Sequence, residues 1–405
     1  MRPWHQRSPV RSVKRLCSSF IIASWLSGCA VPGPEMTSPV VSEKPFTGDA
    51  ARKKSIFVFL DGTRNDPGSG TNVRKLFEAV VQANDPQTTA LYIEGVGSAE
   101  TPILGAVLGF GMEPRILRGY DFIAQSYVPK DDVYIFGFSR GAHQARALAG
   151  LIAYAGVPPR SDAEFSARRK LANAILEAVK PRNDDAFKEK WRVWKSGDPL
   201  FVGEVIWAGR PVTTIPVEIK FLGLWDTVPG SYFKEFGVCK ELSDGRDGDR
   251  YKSDSYPSIR KIFHAVSLDE KRSKFRPILL CPPLQGDGES LNERWFPGAH
   301  ADVGGGYNDS QALPGISLRW MMEALAQSYA VPLPAPQVAD DPLGLAHWSV
   351  GDKPANAGSD CEDRVPPPGA TIDPSVTARS AAGQAQIRMH GAIALKPYPL
   401  ACPRK

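Results

Sequence analysis

The chain has 405 residues, 42% of them hydrophobic and 23% charged, which is enough to bury one large core and excludes both a disordered chain and a bundle of membrane spans. Its formal charge of +5 sits at the amino-terminal end, where Arg2, Arg7, Arg11, Lys14 and Arg15 precede residue 28 with no acid among them and the remainder is formally neutral. No basic block elsewhere fits a phosphate backbone, so a nucleic-acid partner is excluded.

That basic start runs into an apolar stretch, Leu16 to Leu26, and then into Leu26-Ser27-Gly28-Cys29. A positive segment, a short apolar one and small residues before a cleavage point predict a secretory signal peptide over 1–28. The apolar run is shorter than the roughly 20 residues that a membrane span needs. The Leu-Ser-Gly-Cys ending resembles a bacterial lipobox, which implies that Cys29 takes a diacylglyceryl group and becomes the first mature residue. The expected location is the cell envelope, facing the periplasm on a lipid anchor, and Ala30 after Cys29 points to the outer membrane. In such an oxidising compartment the remaining cysteines, Cys239, Cys281, Cys361 and Cys402, predict one or two disulfides, and none of their spacings suits a metal.

From 29 to 52 the sequence is rich in Pro, Ser and Thr and reads as a flexible tether. Continuous apolar runs then predict strands at Ser55–Leu60, Thr89–Gly97, Asp131–Phe138, Pro216–Asp226 and Ile259–Leu268, with a short last one in Arg294–His300. Helical patterns begin at Thr71, Gly111, Ala142 and Ile316. Strands apolar on both faces and alternating with helices predict an α/β fold, a mostly parallel sheet covered on both faces, over 53–334. Polar helical stretches with Trp191 and Trp194 make 160–210 an insertion or cap. The Pro- and Gly-rich 335–405 reads as a loosely ordered tail.

Gly137-Phe138-Ser139-Arg140-Gly141 stands where the third strand becomes a helix. A serine there must turn so sharply that Gly137 and Gly141 have no room for side chains, which is the mechanical basis of the nucleophile elbow. Serine needs a base to take its proton, and the base needs an acid to orient it. Asp226 follows a later strand and His300 lies in the glycine-rich loop after the last one, so the order is Ser, acid, His. Asp302 is the second-choice acid, and His264, mid-strand, reads as a satisfied core residue. The oxyanion donors are expected from the Arg140 backbone N–H and from the loop Asp61-Gly62-Thr63, where Gly62 permits close approach. That loop is not a phosphatase signature, because Phe59 occupies the place of the nucleophilic aspartate.

Taken in order, FVFLDGTRND, GFSRGAHQARALAGLI, LGLWDTV, HAVSLDEKRSKFRP and WFPGAHADVGGGY resemble the catalytic domain of type VI secretion phospholipase effectors of the first lipase class, within a wider α/β-hydrolase family. The resemblance implies a serine esterase acting on phospholipid acyl esters, with Ser139, Asp226 and His300 as its triad and functional weight on Asp61, Gly62 and Thr63. Neither a metal nor an organic cofactor is implied, and an immunity or secretion partner is left unassigned. Two features depart from the toxin pattern: the lipobox, and the short segment after the catalytic region. The alternatives are an esterase for non-lipid esters and a non-catalytic envelope scaffold.

Overall fold

The computed structural model describes residues 39–96, 112–179, 185–228, 255–281, 290–335, 338–351 and 360–403. The predicted signal peptide, Cys29 and Cys239 lie outside the described residues. In chain order the strands are β1 (Val41–Lys44), β2 (Ser55–Leu60), β3 (Thr88–Ile93), β4 (Asp132–Phe138), β5 (Ile206–Trp207), β6 (Arg210–Pro211) and β7 (Ile219–Trp225). They continue with β8 (Ile262–Ser267), β9 (Leu291–Phe296), β10 (Ala346–His347), β11 (Thr371–Ile372), β12 (Gln384–Met389) and β13 (Ala392–Pro397). The α-helices are α1 (Asn72–Gln82), α2 (Met112–Ser126), α3 (Arg140–Ala155), α4 (Phe165–Val179), α5 (Asp185–Val193), α6 (His300–Gly304), α7 (Ala312–Ala326) and α8 (Pro374–Ala381).

Eight strands form the main sheet in the order β1-β3-β2-β4-β7-β8-β9-β11. All neighbours are parallel except β1, which runs antiparallel to β3 at the edge. Side-chain alternation divides this sheet chemically. Ile56, Val58, Leu60, Leu91, Ile93, Val133 and Ile135 turn to one face, where α2 and α3 pack. Phe57, Phe59, Tyr92, Tyr134, Phe136 and Phe221 turn to the other, under α1 and α7. Parallel register stacks the rings of Phe57 on Tyr134 at 4.4 Å and Phe59 on Phe136 at 5.2 Å between centroids. Each such buried ring stabilises the fold by about 1.5–3 kcal/mol relative to exposure. Gly223 lets β7 pass Phe136, since a Cβ there would fall 2.4 Å from that ring.

The helix after the elbow, α3, is buried along almost its whole length, and its alanines and glycines let it lie flat on the aliphatic face. The insertion packs outside it as a further layer: α4 contacts α2 and α3, and Phe187, Trp191 and Trp194 join the same core.

Three expectations differ from the structure. The last strand of the sheet core is β9, Leu291–Phe296, and not Arg294–His300, where His300 opens a helix instead. Part of the tether is strand β1, where Lys44 donates its ammonium protons to the carbonyls of Asp85 and Thr88. An edge strand needs only one row of hydrogen bonds, so a short run among Pro and Ser suffices. The tail after Pro334 is also folded: β11 extends the main sheet, β10, β12 and β13 make a second sheet, and Cys361 is bonded to Cys402. Its anchors are buried single residues and a cross-link, which composition does not reveal. Thr37–Lys405 accordingly make one compact unit.

Candidate active site

The chain leaves β2 toward β3 on one side and reaches β4 on the other, so the loops after β2 and β4 diverge at the carboxyl ends of adjacent strands. Such a crevice is where open α/β sheets place reactive groups. Ser139 stands there with φ 58° and ψ −125°, a conformation costing roughly 1–3 kcal/mol and tolerated because its surroundings fix it. Its N–H donates to the Trp225 carbonyl at 2.9 Å, and its carbonyl accepts from Ala142 at 3.1 Å and from Val228 at 3.3 Å. A Cβ on Gly137 would lie 2.4 Å from the Gly141 carbonyl oxygen, and one on Gly141 would lie 2.1 Å from that of Leu60. Both glycines are therefore sterically required, as the elbow demands.

Asp226 follows β7, itself at φ 38°, and is fully buried. Its Oδ2 meets His300 Nδ1 at 2.5 Å. Oδ1 accepts from the Ser267 N–H at 3.0 Å and from Arg364 Nη1 at 2.6 Å, while Arg364 Nη2 lies 3.1 Å from Oδ2. Burial pushes this carboxyl up, but the Arg364 guanidinium and His300 outweigh it and hold it far below the usual carboxylate range. It is an anion at any working pH.

His300 opens the short α6 after Gly298, which sits at φ 98°. Its ring packs against Phe138, the residue before the nucleophile, at 4.7 Å, and edge-on against Phe275 at 5.2 Å. Its N–H donates to Glu270 Oε2 at 3.1 Å. Glu270 is pinned in turn by Arg272 and by the Ser349 hydroxyl at 2.6 Å. Burial lowers the His300 pKa and Asp226 only partly restores it, so the imidazole is neutral near pH 7. A neutral ring with Nδ1 facing a carboxylate carries its proton there and presents Nε2 as a base.

The loop after β2 closes on the nucleophile: a Cβ on Gly62 would lie 3.0 Å from the Ser139 Cβ. Asp61 organises it, accepting from the Gly62 N–H at 2.6 Å, Asn65 at 3.1 Å, the Thr71 hydroxyl at 2.6 Å and the Tyr92 hydroxyl at 2.7 Å. The Gly62 N–H donates to Asp61, and Gly62 gives the close approach expected of it, which leaves Thr63 as the donor this loop offers. Thr63 follows on the same loop, and the Arg140 N–H belongs to the first turn of α3 across the crevice.

Asp302, the second-choice acid, is turned away from the triad. Its Oδ2 caps the Ala299 N–H and its Oδ1 lies 2.7 Å from His347 Nδ1. It serves the fold of α6 rather than the imidazole of His300. His264 is a satisfied core residue as expected, with Nδ1 at 2.9 Å from Glu293 and Nε2 accepting from the Thr227 N–H. Sequence reasoning missed Glu270, Arg272 and Arg364. The first two lie in a motif that carries the resemblance, so a role could have been sought there; no sequence signal marks Arg364. A cavity of about 340 Å³ at the β9–β11 edge, lined by Glu293, Arg294, Trp320 and Thr371 among others, holds none of these residues. Among the described residues, no cluster of His, Cys, Asp and Glu could hold a metal ion, and no helix is long and apolar enough to cross a membrane.

A strained serine between two required glycines, with a buried His–Asp pair beside it on a parallel sheet, defines an α/β-hydrolase of the serine type. Residues 54–324 match the family described as type VI secretion, phospholipase effector Tle1-like, catalytic domain, and the chain belongs to that family. It is similar to the uncharacterized protein YEL023C of Saccharomyces cerevisiae, 27% identical over 252 residues that cover 56% of this chain and 33% of that one. Among solved structures it is similar to an uncharacterized protein from Pseudomonas aeruginosa, at 18% identity and a TM-score of 0.37, covering 71% of this chain and 47% of that one. It is also similar to the Tle1 effector bound to the VgrG spike of the type VI secretion system, at 18% identity and a TM-score of 0.29, over 63% and 51% of the two chains. The chain thus spans about half the length of those two structures and a third of the yeast protein.

Proposed function

We propose that this protein is a serine hydrolase that cleaves carboxylic esters, with phospholipid acyl esters as its substrate class. The observation that carries the reading is the buried Asp226–His300 pair at 2.5 Å beside a serine held at φ 58°. Nε2 of His300 takes the Ser139 proton, and Oγ attacks the ester carbonyl. The oxyanion is held by the backbone N–H of Arg140, aided by the positive end of α3, and by the N–H of Thr63. The imidazolium then protonates the departing alcohol. Water, activated by the same imidazole, releases the acid from Ser139. Asp226 stays ionised throughout and stabilises the imidazolium. Membership of a phospholipase effector family favours a lipid ester over a soluble one.

The envelope location belongs to this proposal: signal peptide over 1–28, lipid on Cys29, and delivery by export rather than by a spike of the kind to which the Tle1 neighbour is bound. A fluorophosphonate that traps activated serines tests the chemistry. Labelling of wild type but not of Ser139→Ala, followed by release of fatty acid from phospholipid vesicles, is the expected result. Equal ester hydrolysis by Ser139→Ala would overturn it. Incorporation of radiolabelled palmitate, lost in Cys29→Ser, tests the anchor.

A further inference from the structure

Asp226 does more than face His300; its two oxygens are gripped by the fork of Arg364, whose Nη1 also donates to the Ser267 carbonyl at 2.6 Å and whose Nη2 also donates to the Phe275 carbonyl. A planar guanidinium held by two backbone carbonyls and spanning both carboxylate oxygens stops the carboxylate from rotating. Arg364 arrives from far down the chain on a short strap. Cys361 bridges antiparallel to Arg272, the Ser273 N–H donates to the Asp360 carbonyl at 3.0 Å, and the Glu362 N–H donates to the Lys271 carbonyl at 2.9 Å. The ion pairs along the strap, Arg276 with Glu362 and Lys271 with Asp363, have partners 42–66% exposed apart from Lys271, and exposed pairs of this kind hold little. The strong attachment is covalent: the Cys361–Cys402 disulfide, three residues before Arg364, ties the strap to the chain end beyond β13.

We propose that Arg364 is a positioning residue for the Asp226–His300 pair and that the Cys361–Cys402 disulfide keeps it in place. The inference rests on the hydrolase reading only for its kinetic readout. Arg364 fixes the direction of the carboxylate and offsets part of its charge, which weakens the pull of Asp226 on the imidazole proton. His300 therefore stays neutral, and usable as a base, at lower pH than it would beside an unclamped aspartate. The charged groups around the imidazole are Asp226 at the end of β7, Glu270 and Arg272 after β8, and Arg364 from the strap.

The test uses the full chain carrying ¹⁵N-histidine, as wild type, Arg364→Gln, Arg364→Lys and Cys361→Ser/Cys402→Ser. Titration of the His300 ring by NMR and the pH profile of kcat/KM on a soluble nitrophenyl ester are measured together. Arg364→Gln is expected to raise the His300 titration midpoint, move the acid limb of the profile upward, and lower kcat about tenfold or more with KM within about twofold. Arg364→Lys keeps the charge and so keeps the wild-type limb, with reduced kcat. The double serine variant follows Arg364→Gln in both readouts. A His300 titration in Arg364→Gln that superposes on wild type overturns the clamp, and a double serine variant indistinguishable from wild type overturns the part of the disulfide. Should Arg364→Gln not fold, the other two variants decide: a Lys variant whose midpoint rises like that of the double serine protein overturns the charge argument. A His300 midpoint raised in Arg364→Gln, together with a wild type that hydrolyses no ester, would sink the hydrolase reading and leave the clamp standing.

Discussion

At the scale of single residues the site is a set of groups each held by a named partner, and the partners set what substitution does. Asp226→Asn keeps the shape but presents an amide to His300, so the wrong tautomer results; a loss in kcat on the order of 10⁴ is expected in steady-state assays, as for other triads. Because burial lowers the His300 pKa, kcat/KM should rise with pH to a plateau reached at neutrality, with its midpoint below the ordinary histidine value of about 6.5. A midpoint above that value would show that Asp226 prevails over burial. Asp61→Asn introduces two donors where four already converge. The loop that carries Thr63 should lose its shape, with kcat falling roughly 10²–10³-fold and KM little changed, the signature of a lost oxyanion donor. The strand-end places of Ser139, Asp226 and His300, and the pairing of the last two, were legible because such a site forces an order and a position. Asp302 was a fair rival by spacing alone; only the approach of His347 from the chain's end shows where its carboxylate points.

Among elements, the elbow is a tight joint, since α3 can leave β4 only if nothing projects from Gly137 or Gly141. Gly141→Ala should therefore be far worse than a loss of activity: a Cβ 2.1 Å from a backbone oxygen cannot be relieved by a rotamer, and soluble yield should collapse. Normal expression with an unchanged urea midpoint would contradict that geometry. A second joint links α6 to β10, where His347 stands between Asp302 at 2.7 Å and Asp309 at 3.1 Å and stacks on Tyr307 at 3.6 Å. Both ring nitrogens face carboxylates, and although burial lowers its pKa, the two acids raise it overall. Its stabilising effect is thus complete below about 6.5, the unfolded value, and fades as pH rises through the higher folded one. His347→Gln should cost about 3 kcal/mol at pH 6 and less at pH 9 by denaturant titration. Most strands of the sheet were readable because parallel strands buried on both faces run nearly continuously apolar, whereas β9, with Asn292, Glu293 and Arg294 on its half-exposed stretch, does not, and its expected place fell too late in the chain. The edge strand β1 and the two-residue β11 were not, because such short ladders are decided by what lies beside them.

Across the whole molecule, the carboxy-terminal part binds the site together: Arg364 on Asp226, Ser349 on Glu270, and Tyr398 on Asp269, which in turn accepts the Gly298 N–H before His300. Composition hid this, since Pro and Gly argue for disorder only while nothing tertiary outweighs them. The disulfide closes a loop of sequence separation 41, worth about 4 kcal/mol by chain entropy. Its removal should lower the urea midpoint visibly. Acid should also weaken this assembly: despite burial, Arg272 holds Glu270 down at about 2, so its contribution is full above the ordinary glutamate value and drains away as pH falls toward 2. The span of these contacts has a further meaning for the order of events in the cell. Ser139 leaves the ribosome well before Arg364 and Cys402. A growing chain can shape its elbow long before the residues that steady Asp226 exist, so the clamped Asp226–His300 pair forms only after the strand, elbow and imidazole it serves have been made.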